Sequence, residues 1–338
     1  MAATPAAGSV DCMCELAIKA HSRLHITLID LGGVTRRKYG GVGMMLESPA
    51  TAVTVRPSDT LALNLPSSAE ERTRKEAVGL LTRLARKVRR LPLEINVDQH
   101  VPEHVGLGSK TALLLAILAA ARRALSLKLS DGDLQHISGR GGTSGVGIHG
   151  FFLGGCTVDC GQHRSREDFE FLPSSASPPD TVSLLTSRHE IPAEWRIYLL
   201  IPPAIRRTIE QEVALFRENT PIPRDEVLDT LATVHHGVVP AVIRADLRLL
   251  TESLVHLHQI GFKRRELEAQ SSLVKNLYRE LCRRNLGAVG MSSWGPTIYV
   301  IAEPGAYRSA ESTAAIAASI SGCQYIATRG WNRGFELI

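Results

Sequence analysis

Lysine is the scarce cation of this 338-residue chain: of 39 basic residues only eight are lysine, the rest arginine. Aromatic residues make up 5%. The densest basic stretch, Arg72 to Arg90, contains none, which argues against a stacking platform for nucleic acid. Its apolar residues Val78, Leu80, Leu81, Leu84 and Val88 follow helical spacing, so the stretch reads as an amphipathic helix with a solvated basic face. The six cysteines, at 12, 14, 156, 160, 282 and 323, include no C-x-x-C pair and are too dispersed for a disulfide framework. Reduced thiols in a cytoplasm are the expectation. The first residues lack a basic segment leading into an apolar one and do not read as a signal peptide. The most apolar run, Ala112 to Ala121, is too short to cross a bilayer, so no membrane is expected either.

What is present is an ordinary globular composition, 44% apolar and 22% charged, in a chain long enough for two domains. Alternation predicts strands over Glu15–Leu31, Ala52–Arg56, Leu61–Leu65 and Leu93–Val97. A long Ala/Leu helix is predicted from Lys110 to Leu125, a short capped helix after Ser130, and a strand over Phe151–Asp159. Pro173 to Asp180 is the most linker-like segment. Beyond it Trp195–Ile201 opens or bridges to the second unit, and Ile209–Arg284 reads as helical with breaks at Pro221–Arg224, near Pro240 and at Gly261. Strands at Ile298–Ala302 and Cys323–Thr328 flank an Ala-rich helix at Ser309–Ile320.

Chemistry concentrates in residues 102–111, Pro-Glu-His-Val-Gly-Leu-Gly-Ser-Lys-Thr, between a strand and the Ala/Leu helix. Gly106 and Gly108 permit close backbone approach, the next amides emerge from a helix N-terminus, and His104, Ser109, Lys110 and Thr111 add side-chain donors. Such a loop suits a diphosphate, and its glycine spacing is not that of a Walker loop. Gly145 to Gly150 satisfies G-x-G-x-x-G, yet a strand rather than a helix is predicted after it, so the dinucleotide reading fails. His256 and His258 lie two apart on a helix, face different ways, and read as structural.

The 102–111 segment resembles the P-x-x-x-G-L-G-S-S loop of the GHMP kinase superfamily, with Lys110 and Thr111 where the kinases carry small residues. Ser22-Arg23-Leu24-His25, Leu28-Ile29-Asp30-Leu31, Gly139-Arg140-Gly141-Gly142-Thr143-Ser144-Gly145-Val146-Gly147-Ile148-His149, Gly154–Asp159 and Ser292-Ser293-Trp294-Gly295-Pro296-Thr297 resemble, in that order, the motifs of the beta-ribofuranosylaminobenzene 5'-phosphate synthases, a branch of that superfamily. The resemblance implies an α+β fold of two GHMP kinase-like domains. These are a ribosomal S5 domain 2-like unit over 11–180 and a ferredoxin-like α/β unit over 190–338. It also implies a homodimer, Mg²⁺ as cofactor, and phosphoribosyl pyrophosphate (PRPP) and an aromatic or heteroaromatic carboxylic acid as partners.

By the same resemblance, Arg23, His25, Asp30 and Asp159 are catalytic candidates. His104, Gly106, Gly108, Ser109, Lys110, Thr111, Arg140, Gly141, Thr143 and Ser144 would bind PRPP, and His149, Ser292, Ser293, Trp294 and Thr297 the acceptor. Asp30 and Asp159 either hold Mg²⁺, steady positive charge at the anomeric carbon, or cap turns. His25, His104 and His149 each suit an acid, a substrate ligand or a buried imidazole.

The expected reaction displaces pyrophosphate from PRPP, bonds C1 of the ribose to a ring carbon in the β configuration, and releases CO₂. The arginine-rich, lysine-poor composition suggests a GC-rich bacterium, and with it a similarity to C-glycoside synthases of formycin and pyrazofurin assembly, whose acceptor is an aminopyrazole dicarboxylic acid. The alternatives are a 4-hydroxybenzoate- or 4-aminobenzoate-using synthase of methanopterin biosynthesis, an ATP-dependent GHMP small-molecule kinase, and a non-catalytic sensor of sugar phosphates.

Overall fold

The computed structural model describes residues 15–338 apart from 89, 165–169, 174–175, 177–180 and 204–207. Cys12, Cys14 and most of the expected linker therefore lie outside the described residues. Two long strands, β1 (Leu16–Asp30) and β2 (Arg37–Pro57), pair antiparallel. They lead into β3 (Ala62–Asn64), α1 (Glu71–Ala85), β4 (Leu93–Gln99), α2 (Ser109–Ala124), α3 (Asp131–Ser138) and α4 (Val146–Leu153), followed by β5 (Cys156–Asp159), β6 (Gln162–His163) and β7 (Leu185–His189). The second half comprises β8 (Arg196–Ile201), α5 (Ile209–Asn219), α6 (Arg224–Thr233), α7 (Val239–Arg244), α8 (Leu247–Leu257), α9 (Gly261–Glu268), α10 (Ser272–Arg284), β9 (Ala288–Met291), β10 (Ile298–Ala302), α11 (Tyr307–Ser321), β11 (Gln324–Arg329) and β12 (Glu336–Leu337).

The first sheet runs β12-β1-β2-β4-β3, with β5 and β6 added to β2 and β7 to β5; the second runs β11-β8-β10-β9. Strand alternation sorts the second sheet's side chains onto two buried faces. Ile197, Leu199, Ile201, Tyr299 and Ile301 join Leu24, Ile26, Val42 and Met44 of the first sheet in a core shared with α8. Tyr198, Leu200, Ile298 and Val300 turn the other way, against α10 and α11. The apolar run of α2 is buried throughout, as a helix without a polar face requires, and its Leu113–Ala121 segment packs with α1, β4 and α3.

Four expectations change. Residues 37–57 form one strand, which the glycines at 40, 41 and 43 and Pro49 conceal. Phe151–Leu153 complete α4 rather than open a strand: Gly154, at φ 63°, ends the helix, and the run was too short for periodicity to separate the two states. The GxGxxG segment is consequently helical itself, not followed by a strand, and its glycines do not form the strand-to-helix turn a dinucleotide needs. No break occurs near Pro240, since a π-helical turn at Val234–Val238 carries α6 into α7, with Pro240 in the first turn of α7 where its missing N–H is tolerated.

The end of the chain also crosses the division drawn at 190. Trp331 stacks on His21 with ring centroids 4.1 Å apart, Phe335 stacks on Phe151, and β12 pairs with β1.

Candidate active site

His104, Gly106 and Gly108, at φ 59°, 82° and 77°, swing the chain from β4 into α2. Gly106 abuts Gly295 so closely that a Cβ on Gly295 would lie 2.1 Å from the Gly106 nitrogen, and one on Gly106 would lie 2.2 Å from the Ser292 carbonyl oxygen. Ser292 Oγ donates to the Gly106 carbonyl (2.7 Å) and Thr297 Oγ1 to the Val105 carbonyl (2.6 Å), so the 292–297 turn of the second half clamps the loop of the first. No side chain caps α2, and the amides of Ser109, Lys110 and Thr111 stand in its first turn, where a helix supplies no carbonyl partners.

Cations ring that helix end. Arg23 packs over Gly108 and donates to the Gly106 carbonyl (2.5 Å). Burial lowers its guanidinium to about 10, still protonated at neutral pH. Lys110 pairs with Glu76 at 3.0 Å, and Arg140 donates to Thr111 Oγ1 at 3.3 Å. Strand β1 shifts register between His21 and Arg23 and again between His25 and Thr27, so the Arg23–His25 segment sits between two irregularities that set its pointing.

One cavity is walled by fourteen of the expected residues: Arg23, His25, His104, Gly106, Gly108, Ser109, Lys110, Thr111, Arg140, Gly141, Thr143, Ser144, Ser293 and Trp294. Five lie elsewhere. Ser292 and Thr297 spend their hydroxyls on the loop clamp, and His149 on α4 bonds the Ser183 carbonyl (2.8 Å). Asp30 accepts the amides of Gly32, Val34 and Thr35 and caps its own turn. Asp159, fully buried, accepts the amides of Gly145 and Gly161 and the Ser144 hydroxyl; burial pushes its carboxyl up to about 7 against those bonds. Both aspartates thus cap local turns outside that cavity, the third of the roles their positions allowed.

The wall also contains Leu28, Arg72, Glu103, Glu212, Leu215 and Phe216, which sequence reasoning missed. Arg72 lay in the stretch read as a solvated face; its end of α1 turns inward instead. Phe216 and Trp294 pack together with Phe262 (5.1 and 5.2 Å between ring centroids), giving the cavity an apolar side. Beside the loop, Glu70, Glu103 and His104 bring ligand atoms within 4.8 Å of one another. Burial raises the Glu103 carboxyl, but bonds from His100, Thr73 and the Glu70 amide outweigh it and hold the group at about 2. A second unforeseen feature is a buried ion pair, Lys263–Glu266 at 2.5 Å, whose charges act on Arg23. Nothing in the sequence pattern marked it.

Residues 75–155 match the family described as GHMP kinases N terminal domain. The whole fold resembles homoserine kinase from Cytophaga hutchinsonii (TM-score 0.69, 15% identity, 99% of this chain and 100% of that one). It resembles the phosphomevalonate kinase of Streptococcus pneumoniae to the same degree (TM-score 0.69, 10% identity, 94% and 99%). Fold and loop together define a member of the GHMP kinase fold class. In sequence the chain is 35% identical over 334 residues to the beta-ribofuranosylphenol 5'-phosphate synthase of Methanothermobacter thermautotrophicus, covering 96% of this chain and 99% of that one. The enzyme of the same name from Archaeoglobus fulgidus is 35% identical over 323 residues (95% and 99%). The chain therefore belongs to the beta-ribofuranosylphenol 5'-phosphate synthase family. No helix among the described residues is long and apolar enough to cross a membrane.

Proposed function

We propose that this chain transfers the ribose 5-phosphate of PRPP to an aromatic acid of the 4-hydroxybenzoate type, forming a β C-glycosidic bond with loss of pyrophosphate and CO₂. The observation that carries this reading is the union in one cavity of an uncapped helix N-terminus ringed by Arg23, Lys110 and Arg140 with an apolar wall of Phe216 and Trp294. The first suits a leaving diphosphate and the second a flat ring. The family's name carries a phenol, which favours a hydroxylated benzoate over the aminopyrazole dicarboxylate that the composition suggested.

As the C1–O bond of the ribose breaks, its electron pair goes to pyrophosphate, and the helix-end amides with Lys110 and Arg140 absorb that charge. The ring carbon bearing the carboxylate attacks the exposed C1 face, and the pair from the departing CO₂ restores aromaticity. No strong base is required, in keeping with a site rich in anion donors. Mg²⁺, when bound, would add positive charge to the diphosphate; Glu70, Glu103 and His104 beside the loop would hold it by exchanging their present bonds to one another for the ion, with the two carboxylates supplying oxygen donors.

The test is incubation with PRPP, Mg²⁺ and a panel including 4-hydroxybenzoate, 4-aminobenzoate and an aminopyrazole dicarboxylate, read by mass spectrometry. A ribosylated hydroxyaromatic lighter by CO₂ is expected. Transfer of the γ-phosphate of ATP to a small alcohol, with PRPP inert, would replace this reading by a kinase.

A further inference from the structure

We propose that His25 hydrogen-bonds the electron-donating substituent of the acceptor ring, a hydroxyl or N–H conjugated with the carbon that attacks, and so selects acceptors that carry one. This rests on the reaction just described and adds to it the recognition of its second substrate.

His25 is 3% exposed, and neither of its ring nitrogens has a hydrogen-bond partner within the chain. Polar atoms at such depth nearly always have one. His25 is one of the residues lining the cavity, so a molecule held there can supply what the protein withholds. Its backbone is fixed on both sides: the His25 amide donates to Ser292 Oγ (3.0 Å) and its carbonyl accepts from the Ser293 amide (2.9 Å). The turn that clamps the diphosphate loop thus also aims this imidazole. Opposite, Gly41 keeps space open, because a Cβ there would lie 2.9 Å from His25 Nε2 and 2.6 Å from Ser144 Oγ.

The imidazole is neutral. Burial and the neighbouring charges of Arg23 and Lys263 hold its proton affinity well below that of a free histidine, and Lys263 is itself paired with Glu266. A neutral imidazole offers one donor and one acceptor. It is poorly suited to clamp a carboxylate, which belongs with the arginines, and well suited to an O–H or N–H.

The chemistry places value on that contact. When the ring carbon bonds to C1 of the ribose, the ring becomes electron-poor and its hydroxyl proton acidic, so a bond from that proton to the imidazole strengthens on the way to the transition state. When the carbon–carboxylate bond breaks, its electron pair returns to the ring, CO₂ leaves, and the proton stays on the substituent. His25 ends each turnover unchanged.

The experiment compares His25→Leu and His25→Gln with the wild type, using 4-hydroxybenzoate and unsubstituted benzoate as acceptors and calorimetry for PRPP. In His25→Leu we expect PRPP affinity to persist, kcat/KM for 4-hydroxybenzoate to fall about 100-fold, and the preference for it over benzoate to collapse. Glutamine, which keeps a donor and an acceptor, should restore most of the loss. Retention of the wild-type preference in His25→Leu overturns the proposal, as does an equal loss with both acids. Should that variant not fold, the nitrogen-15 resonance of the His25 ring in the wild type decides: it shifts when 4-hydroxybenzoate is added to the PRPP complex, and an unmoved resonance overturns the assignment. A wild type that releases no pyrophosphate with any acid refutes the reaction itself, a result distinct from turnover indifferent to His25.

Discussion

Lys110 is the residue whose loss is expected to be felt first at the diphosphate. Lys110→Ala removes one charge-assisted bond and leaves Glu76, now without that lysine at 3.0 Å, to repel the incoming anion. We expect PRPP affinity by calorimetry to drop by about ten- to a hundredfold with the thermal unfolding midpoint little changed. Arg23→Ala is expected to cost more in turnover, since this guanidinium both covers Gly108 and bonds the Gly106 carbonyl. Arg23→Lys should recover little, because an ammonium lacks the planar fork. Both residues were legible in the sequence, as were their neighbours in the loop, because glycines, a helix start and cations side by side have few other uses. For Asp30 and Asp159 the sequence left turn capping and metal binding both open, for an equally physical reason. A buried carboxylate that caps its own turn and one that holds a metal look alike until the amides around them are placed.

At the scale of elements, the contact between the loop at 104–108 and the turn at 292–297 carries the site. A methyl group at position 295 would collide with backbone rather than with a side chain able to yield, so Gly295→Ala must part the two segments. We expect it to lower stability by about 1–3 kcal/mol in denaturant titrations and to abolish PRPP binding, whereas Gly305→Ala, with nothing within 4 Å of its Cβ, serves as the silent control. The helices and strands themselves were largely readable from periodicity. Their partnerships were not. The pattern of α5 gives no sign that Phe216 and Glu212 face the cavity, because that depends on which element of the other half lies opposite. Likewise the short apolar run Phe151–Leu153 told nothing of whether it ends α4 or opens the next strand.

For the molecule as a whole, acid should loosen the fold in a defined window. His258 Nε2 accepts the Met291 amide while Nδ1 donates to the Leu254 carbonyl, fixing a neutral ring between α8 and β9. Burial, with Lys263 adding to it, lowers this group from 6.5 to about 3. The unfolded chain therefore binds the proton first, and the stability His258 confers is complete above pH 6.5 and lost as pH falls from there toward 3. Over that window His258→Gln is expected to flatten the pH dependence of unfolding free energy by about 1.4 kcal/mol per pH unit, measured by denaturant titration at a series of pH values. A curve of unchanged slope would mean that the ring charges without cost.

The pairing of β12 with β1 reaches beyond equilibrium. During synthesis the anion-binding loop and the helix behind it leave the ribosome long before residues 331–337 do, so the two positions of β1 that β12 covers, Ile18 and Lys19, stay bare through most of translation. Until β12 arrives, those positions are a template for any extended peptide in reach, so the late making of so small a pairing opens an interval for misassembly.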